Sequence, residues 1–472
     1  MLRFLPRMMM MSTGLFCSFQ GAALAQPIES VPPAGNMLPD YVPATKRMSD
    51  AELAKKKTGA FVTALPGFSS DPLNGFGGAV QANVFYNGDR TDPFFAYTPY
   101  RAKTSIYGQY TTLNTGRLQL GLDVPYLYDS PWRMKLDLKY KNDPNRTFFG
   151  LTEATLDPLP GGTYASYSQG LKQVRPGRGP GEAAEVTDTQ YNLFKELEYM
   201  ANAKFERSIL DGNTRLMIGY ELQHLSFSTY EGLASSVKDP ATGQTRDVPN
   251  GQSRIGKGTA DGSVHGLGGG VVSIIQTALI YDTRDFEPDP TRGVFLEVAN
   301  EFSDPIVGSQ FAFNKVLLQA KTFHRLWPEH FEKTVFATRF GLGTVLGEQA
   351  PFFEYHDQWT TEGSITALGG SQTLRGYKTN RFLGRSVAFA NLELRHRFAE
   401  LDLFNQNLTF AAVPFVDLGA VGDKVLQVRL DQPRAATGLG LRIGWNRSTI
   451  VAMDYAVSPE DQQFFLNFNK SY

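Results

Sequence analysis

Leu118, Leu120, Leu122 and Val124 alternate with Arg117, Gln119, Gly121 and Asp123, and shortly afterwards Met134, Leu136, Leu138 and Tyr140 alternate with Arg133, Lys135, Asp137, Lys139 and Lys141. A period of two places one apolar and one strongly polar face on each segment, the mark of a β-strand between two different environments. The same period recurs from residue 57 onward and predicts sixteen strands: 57–65, 77–87, 102–112, 115–126, 131–142, 191–208, 213–228, 268–282, 293–303, 308–326, 332–346, 385–399, 405–420, 434–444, 448–456 and 462–472. Many reach the 9–11 residues, roughly, that a tilted strand needs to cross a bilayer. Short connections such as Tyr128-Asp129-Ser130-Pro131 and Trp445-Asn446-Arg447 alternate with long polar ones at 143–187, 229–267 and 347–384. That asymmetry is the habit of an outer-membrane barrel, with turns on one side and loops on the other. Alternation alone leaves a soluble multi-sheet protein open as well.

The final strand separates these classes further. Phe464, Leu466, Phe468 and Tyr472 share one face and the sequence ends on the aromatic. On a soluble edge this would invite aggregation; in a barrel it resembles the C-terminal strand signal of outer-membrane proteins. The chain holds 46 Gly, 34 Phe and 20 Tyr, and after its first residues it has no apolar run long enough for a helical membrane span. The expectation is an all-β transmembrane antiparallel barrel of about sixteen strands, residues 57–472, in the bacterial outer membrane.

Ahead of it, Arg3 and Arg7, the apolar run Met8–Phe19 and Ala23-Leu24-Ala25 read as a secretory signal peptide over 1–25. Phe16 before the sole cysteine, Cys17, argues against a lipoprotein. Removing the signal deletes two basic and no acidic residues, so the net charge of −1 becomes more acidic and no nucleic-acid partner is expected. Residues 26–56 carry Pro27, Pro32, Pro33, Pro39 and Pro43 and read as a periplasmic linker. Ser49-Asp50-Ala51-Glu52 is either a capping box that opens a short helix through Lys57 or a solvated basic turn.

Residues 366–384 have neither period but contain Gly369, Gly370, Gly376 and Gly384, which makes a shaped loop around Leu374-Arg375-Gly376-Tyr377. This tetrapeptide resembles the inward-folded loop motif of the BamA, TamA and two-partner-secretion (bacterial surface antigen) superfamily. Asp282-Thr-Arg284-Asp285 followed by Pro290-Thr-Arg-Gly293 resembles its strand-turn-strand motif, Asn391-Leu-Glu393-Leu-Arg395 the strand after the loop, and Phe415-Val-Asp417-Leu-Gly419 the next strand. The similarity runs over roughly 268–472. Alternation turns Glu393 and Asp417 toward the lumen, where an arginine needs carboxylate partners. Arg375 is therefore expected to meet Glu393, Phe415 and Asp417 and to pin the loop inside the barrel.

The resemblance implies insertion and assembly of outer-membrane proteins or protein translocation, through a weak seam between the first and last strands. It also implies contact with outer-membrane lipids and lipopolysaccharide, a protein substrate or periplasmic partner, and assembly by the barrel-assembly machinery. Members usually carry POTRA modules, for which 26–56 is too short, so a POTRA-less member is expected. A plugged, porin-like channel or structural barrel is the alternative, with Arg133, Lys135, Lys139 and Lys141 tuning ion selectivity. An enzyme is not expected: His224, His265, His324, His330, His356 and His396 show no nucleophile or metal spacing, and Gly266–Gly270 lacks the strand and helix of a phosphate loop. No cofactor or metal is expected.

Overall fold

Alternation of side chains becomes a wall with two faces in the computed structural model. It describes residues 39–71, 74–156, 174–175, 185–186, 190–238, 244–326, 334–403, 406–446 and 449–468. Among them, sixteen strands form one antiparallel sheet in chain order: β1 Ala60–Asp71, β2 Gly75–Tyr86, β3 Ala102–Thr111, β4 Gly116–Val124, β5 Trp132–Thr147, β6 Leu193–Ile209, β7 Thr214–Thr229, β8 Gly270–Asp282, β9 Gly293–Ser303, β10 Phe313–Arg325, β11 Thr334–Leu346, β12 Ser386–Leu403, β13 Gln406–Gly422, β14 Arg434–Trp445, β15 Thr449–Val457 and β16 Gln462–Phe468. The signal-peptide segment and Tyr472 lie outside the described residues.

Register shows how the faces are assigned. Across β4 and β5, Leu118 meets Tyr140, Leu120 meets Leu138 and Leu122 meets Leu136, while Gln119 meets Lys139 and Asp123 meets Lys135. Leu118, Leu120, Leu136, Leu138 and Tyr140 are exposed, as lipid-facing side chains must be. On β6 the opposite holds for Asn202, Lys204 and Glu206, which are buried. The interior is filled rather than open: Trp359, Ile365, Leu368, Leu374, Tyr377 and Phe382 of the connection between β11 and β12 pack against Ile280, Phe295, Leu317, Val387, Phe389 and Val421 of the wall.

Elements beyond the predicted ones appear in the long connections. A hairpin pairs Ala234–Lys238 with Thr245–Pro249, and the helix Arg254–Asp261 starts on Ser253, whose hydroxyl accepts from the Gly256 amide. Before the barrel, helix α1, Asp50–Lys55, has the Ser49/Glu52 capping box; it ends before Lys57 because Lys56 is already extended.

Among the described residues, no ladder joins β1 to β16. The Asn87 amide donates to the Gly59 carbonyl, so odd residues of β1 direct their backbone groups at β2 and even residues at the open edge. Pro66 is even. It withholds a donor from the edge that faces the last strand.

Candidate functional site: an arginine anchored in the lumen

On β12, Asn391, Glu393 and Arg395 face inward and are buried, while Leu394 is exposed to the outside. Asp417 on β13, Arg442 on β14 and Asp454 on β15 point into the same part of the lumen. Into this half-ring comes the loop, turned by Gly369 (φ 109°), Gly370 (φ 85°) and Gly376 (φ 90°). A β-carbon at Gly376 would lie 3.0 Å from the Val457 carbonyl carbon and 3.2 Å from Ala436 Cβ, so only glycine lets the chain pass so close to the wall.

Arg375 is 1% exposed. Its Nε and Nη2 donate to the two oxygens of Asp417 at 2.7 and 2.8 Å, its Nη1 donates to Glu393 Oε1 at 2.8 Å and reaches Asp454 Oδ2 at 3.4 Å. The Arg375 amide also donates to Asp417 Oδ2, at 3.0 Å. The guanidinium carbon sits 3.4 Å from the centre of the Phe415 ring, a cation–π contact. Asn391 holds the arrangement from behind, donating to Asp417 Oδ1 and to the Thr373 carbonyl, each at 2.7 Å. Arg395 pairs with Glu393 at 2.8 Å and Arg442 with Asp454 at 2.6 Å. The three guanidiniums thus balance the three carboxylates, which is how six charges can be desolvated together.

Two further anchors extend the hold along the lumen. Arg381, also 1% exposed, binds Glu460 in the β15–β16 turn through Nε at 2.8 Å and Nη2 at 2.9 Å, and donates to the Thr155 carbonyl at 2.5 Å. Ser458 in the same turn donates to the Gly376 carbonyl at 2.7 Å. At the loop tip, Glu362 pairs with Arg284 at 2.8 Å and with Lys321. Arg284 in turn clamps Asp282 through Nε at 2.9 Å and Nη2 at 3.1 Å. The strand-turn-strand motif therefore serves the loop as well as its own turn. Asp285 organises that turn by accepting from the Thr291 amide and hydroxyl, and Gly293 (φ 107°) closes it where a β-carbon would lie 2.4 Å from the Thr283 carbonyl oxygen. The connection, 283–292, falls between the strands where the alternation placed it.

Leu374 and Tyr377 are buried, Tyr377 edge-to-face with Phe382 at 5.2 Å. Phe464 is exposed on the outer face of β16, with Leu466 half-buried on the same side and Phe468 ending the described strand. The lumenal cations each have a carboxylate: Arg133 with Asp123 at 2.7 Å, Lys135 with Glu206 at 2.5 Å, Lys139 with Glu198 at 2.6 Å, and Lys141 with Glu196 at 2.8 Å. Among the described residues, no three His, Cys, Asp or Glu side chains are grouped to hold a metal ion.

A family model described as the Omp85 superfamily domain matches residues 102–470. The chain belongs to the Omp85 superfamily. A separate model, a domain of unknown function (DUF5982), matches residues 38–101 of this Omp85 protein. Among curated proteins it is similar to the outer membrane protein assembly factor BamA of Nitratidesulfovibrio vulgaris, 27% identical over 192 residues, 38% of this chain and 22% of that relative's length. Solved structures similar to it include BamA from Haemophilus ducreyi lacking POTRA domains 1–3 (14% identity, 87% of this chain, 70% of that one, TM-score 0.46) and CdiB from Escherichia coli (10%, 87%, 61% and 0.47). As an Omp85 barrel, the protein is a multi-pass β-barrel of the bacterial outer membrane.

Proposed function

We propose that this Omp85 barrel assists insertion and assembly of outer-membrane proteins, or moves a protein substrate across the membrane, using the seam between β1 and β16. The observation that carries the reading is the β1 edge, which pairs with no other strand among the described residues and into which Pro66 is directed, lying next to a final hairpin that the lumenal loop grips. Asp454 on β15 touches Arg375, and the β15–β16 turn is held by Arg381 on Glu460 and by the Gly376 carbonyl, which accepts from Ser458. An unpaired strand edge offers backbone donors and acceptors to an incoming strand, and a missing donor lowers the cost of parting the seam. Loop and seam therefore share one set of contacts. A protein substrate and a periplasmic partner follow from this reading, as do the surrounding lipids and lipopolysaccharide.

The channel alternative fits the lumen less well. A pore that selects ions needs unpaired charge along an open path, whereas the wall cations above are matched by carboxylates and the loop fills the interior. Reconstituted in liposomes, the protein is expected to speed folding of an unfolded model barrel with little conductance. Steady ion-selective conductance without acceleration would replace this reading with the channel.

A further inference from the structure

Residues 39–57 do not simply lead to the barrel; they lie across its turn-bearing end. The Tyr41 hydroxyl donates to the Asp129 carbonyl in the β4–β5 connection. Its own carbonyl passes so near Gly212 in the β6–β7 turn that a β-carbon there would lie 2.2 Å away. Lys46 reaches Asp282 at 3.3 Å and Glu287 at 3.6 Å. Met48 and Leu53 bury themselves with Phe95 and pack on Ala96 and Phe286. The Met48 amide donates to the Ala96 carbonyl at 2.9 Å. Lys56 donates to the Phe95 and Thr98 carbonyls at 2.6 Å each, with its ammonium 4.3 Å from the centre of the Phe95 ring. Lys55 pairs with Glu400, and Lys57 donates to Gln406 at 3.2 Å. Three residues later β1 begins.

The partners on the barrel side belong to connections and strand ends that are far apart in sequence, so the segment spans the mouth instead of hanging from one rim. Its main seat, residues 87–101, is the connection between β2 and β3. Strap, β1–β2 hairpin and seat together coincide with the 38–101 domain, to which the family comparison attaches no role.

We propose that residues 38–101 are a periplasmic clip: the strap 39–57 closes the mouth of the barrel, and by running directly into β1 it fixes the strand that forms one side of the seam. Burial of Met48 and Leu53 gives the strap its hold, and Lys46 and Lys55 set where it lies. The clip does not depend on whether the barrel's cargo is a protein. Strain on the strap is passed to Ala60 through only Lys57, Thr58 and Gly59, and the Asn87 side chain grips this link by donating to the Lys57 carbonyl at 2.7 Å.

The test uses the full protein carrying Lys46→Glu with Lys55→Glu, with heat-modifiable mobility as the check on barrel folding. Backbone exchange over 60–68 is expected to rise at least tenfold, while exchange over 334–346 stays unchanged. Lys55→Glu combined with Glu400→Lys, with Lys46 intact, is expected to restore wild-type behaviour. Cleavage within 39–57 in the double variant, with exchange over 60–68 at the wild-type value, would overturn the clip. If the double variant does not fold, a protease site at Thr58 cut after folding serves instead: increased exchange over 60–68 supports the coupling to β1, and unchanged exchange refutes it.

Discussion

Arg375→Ala removes both strong bonds to Asp417, the 2.8 Å bond to Glu393 and the contact with Asp454. The carboxylates do not suffer equally. Glu393 keeps Arg395, and Asp454 keeps Arg442. Asp417 keeps only the Asn391 amide group and the backbone N–H of residue 375, so one negative charge is left buried without a cation. Breaking a buried pair from one side typically costs about 3–5 kcal/mol, which at about 1.4 kcal/mol per decade raises the population with the loop undocked by roughly two to three and a half orders of magnitude. The loss cannot exceed the free energy that docks the loop, because the barrel wall survives its release. Asp417→Asn in the Arg375→Ala background removes the stranded charge and should recover part of the loss. A double-mutant cycle read by urea titration of the heat-modifiable form, together with protease cleavage within 347–385, should give a coupling of about 2 kcal/mol or more. Additivity of the two changes within about 0.5 kcal/mol, with the loop still protected, would refute the argument.

Arg381→Gln should loosen the β15–β16 turn and the loop together, since both Glu460 bonds and the Thr155 contact go; exchange over 449–468 and protease access to 366–385 are expected to rise in parallel, and a rise in only one would separate the two. Pro66→Val supplies a backbone donor to the open edge and should slow exchange across 60–68 in the folded protein. Burial pushes Lys56 down to about 7, with Asp92 opposing and Arg101 adding to the effect. Because this folded-state value lies below that of a free lysine, docking of the strap should be weakest below pH 7 and strengthen as pH rises from about 7 toward the free-lysine range. Anisotropy of a probe on Asp50→Cys should therefore increase from pH 6.5 to 9 in the wild-type background, and a Lys56→Met variant should lose that dependence.

Strands were legible because lipid on one side and a polar, filled lumen on the other demand opposite side chains at successive residues; β9, predicted at 293–303, is observed at Gly293–Ser303. Arg375 with Glu393, Phe415 and Asp417 could be read because strand alternation assigns each residue a face and two of the motifs flank the loop. Asp454 and Arg442 were not singled out, although Asp454 between Ala452 and Ala456 is an inward charge on an otherwise apolar β15 face. Nothing local could have joined Arg381 to Glu460, since a loop and a turn share no register. The capping box was consistent with α1, but where that helix docks depends on Phe95 in the β2–β3 connection and Glu400 near the end of β12, which are distant in sequence. The hairpin and helix within 229–267 stayed hidden because polar loops and short polar elements have the same composition.

The most direct test of seam-based function places a photo-crosslinking side chain at Ala64, whose backbone faces the open edge of β1, and at Leu318 on the lipid-facing wall of β10, and supplies an unfolded barrel substrate to each in liposomes. Crosslinks at Ala64 that are absent at Leu318, and that diminish when the substrate has finished folding, are the predicted result. Equal capture at both positions, or none at Ala64 while the substrate folds faster, would contradict the account.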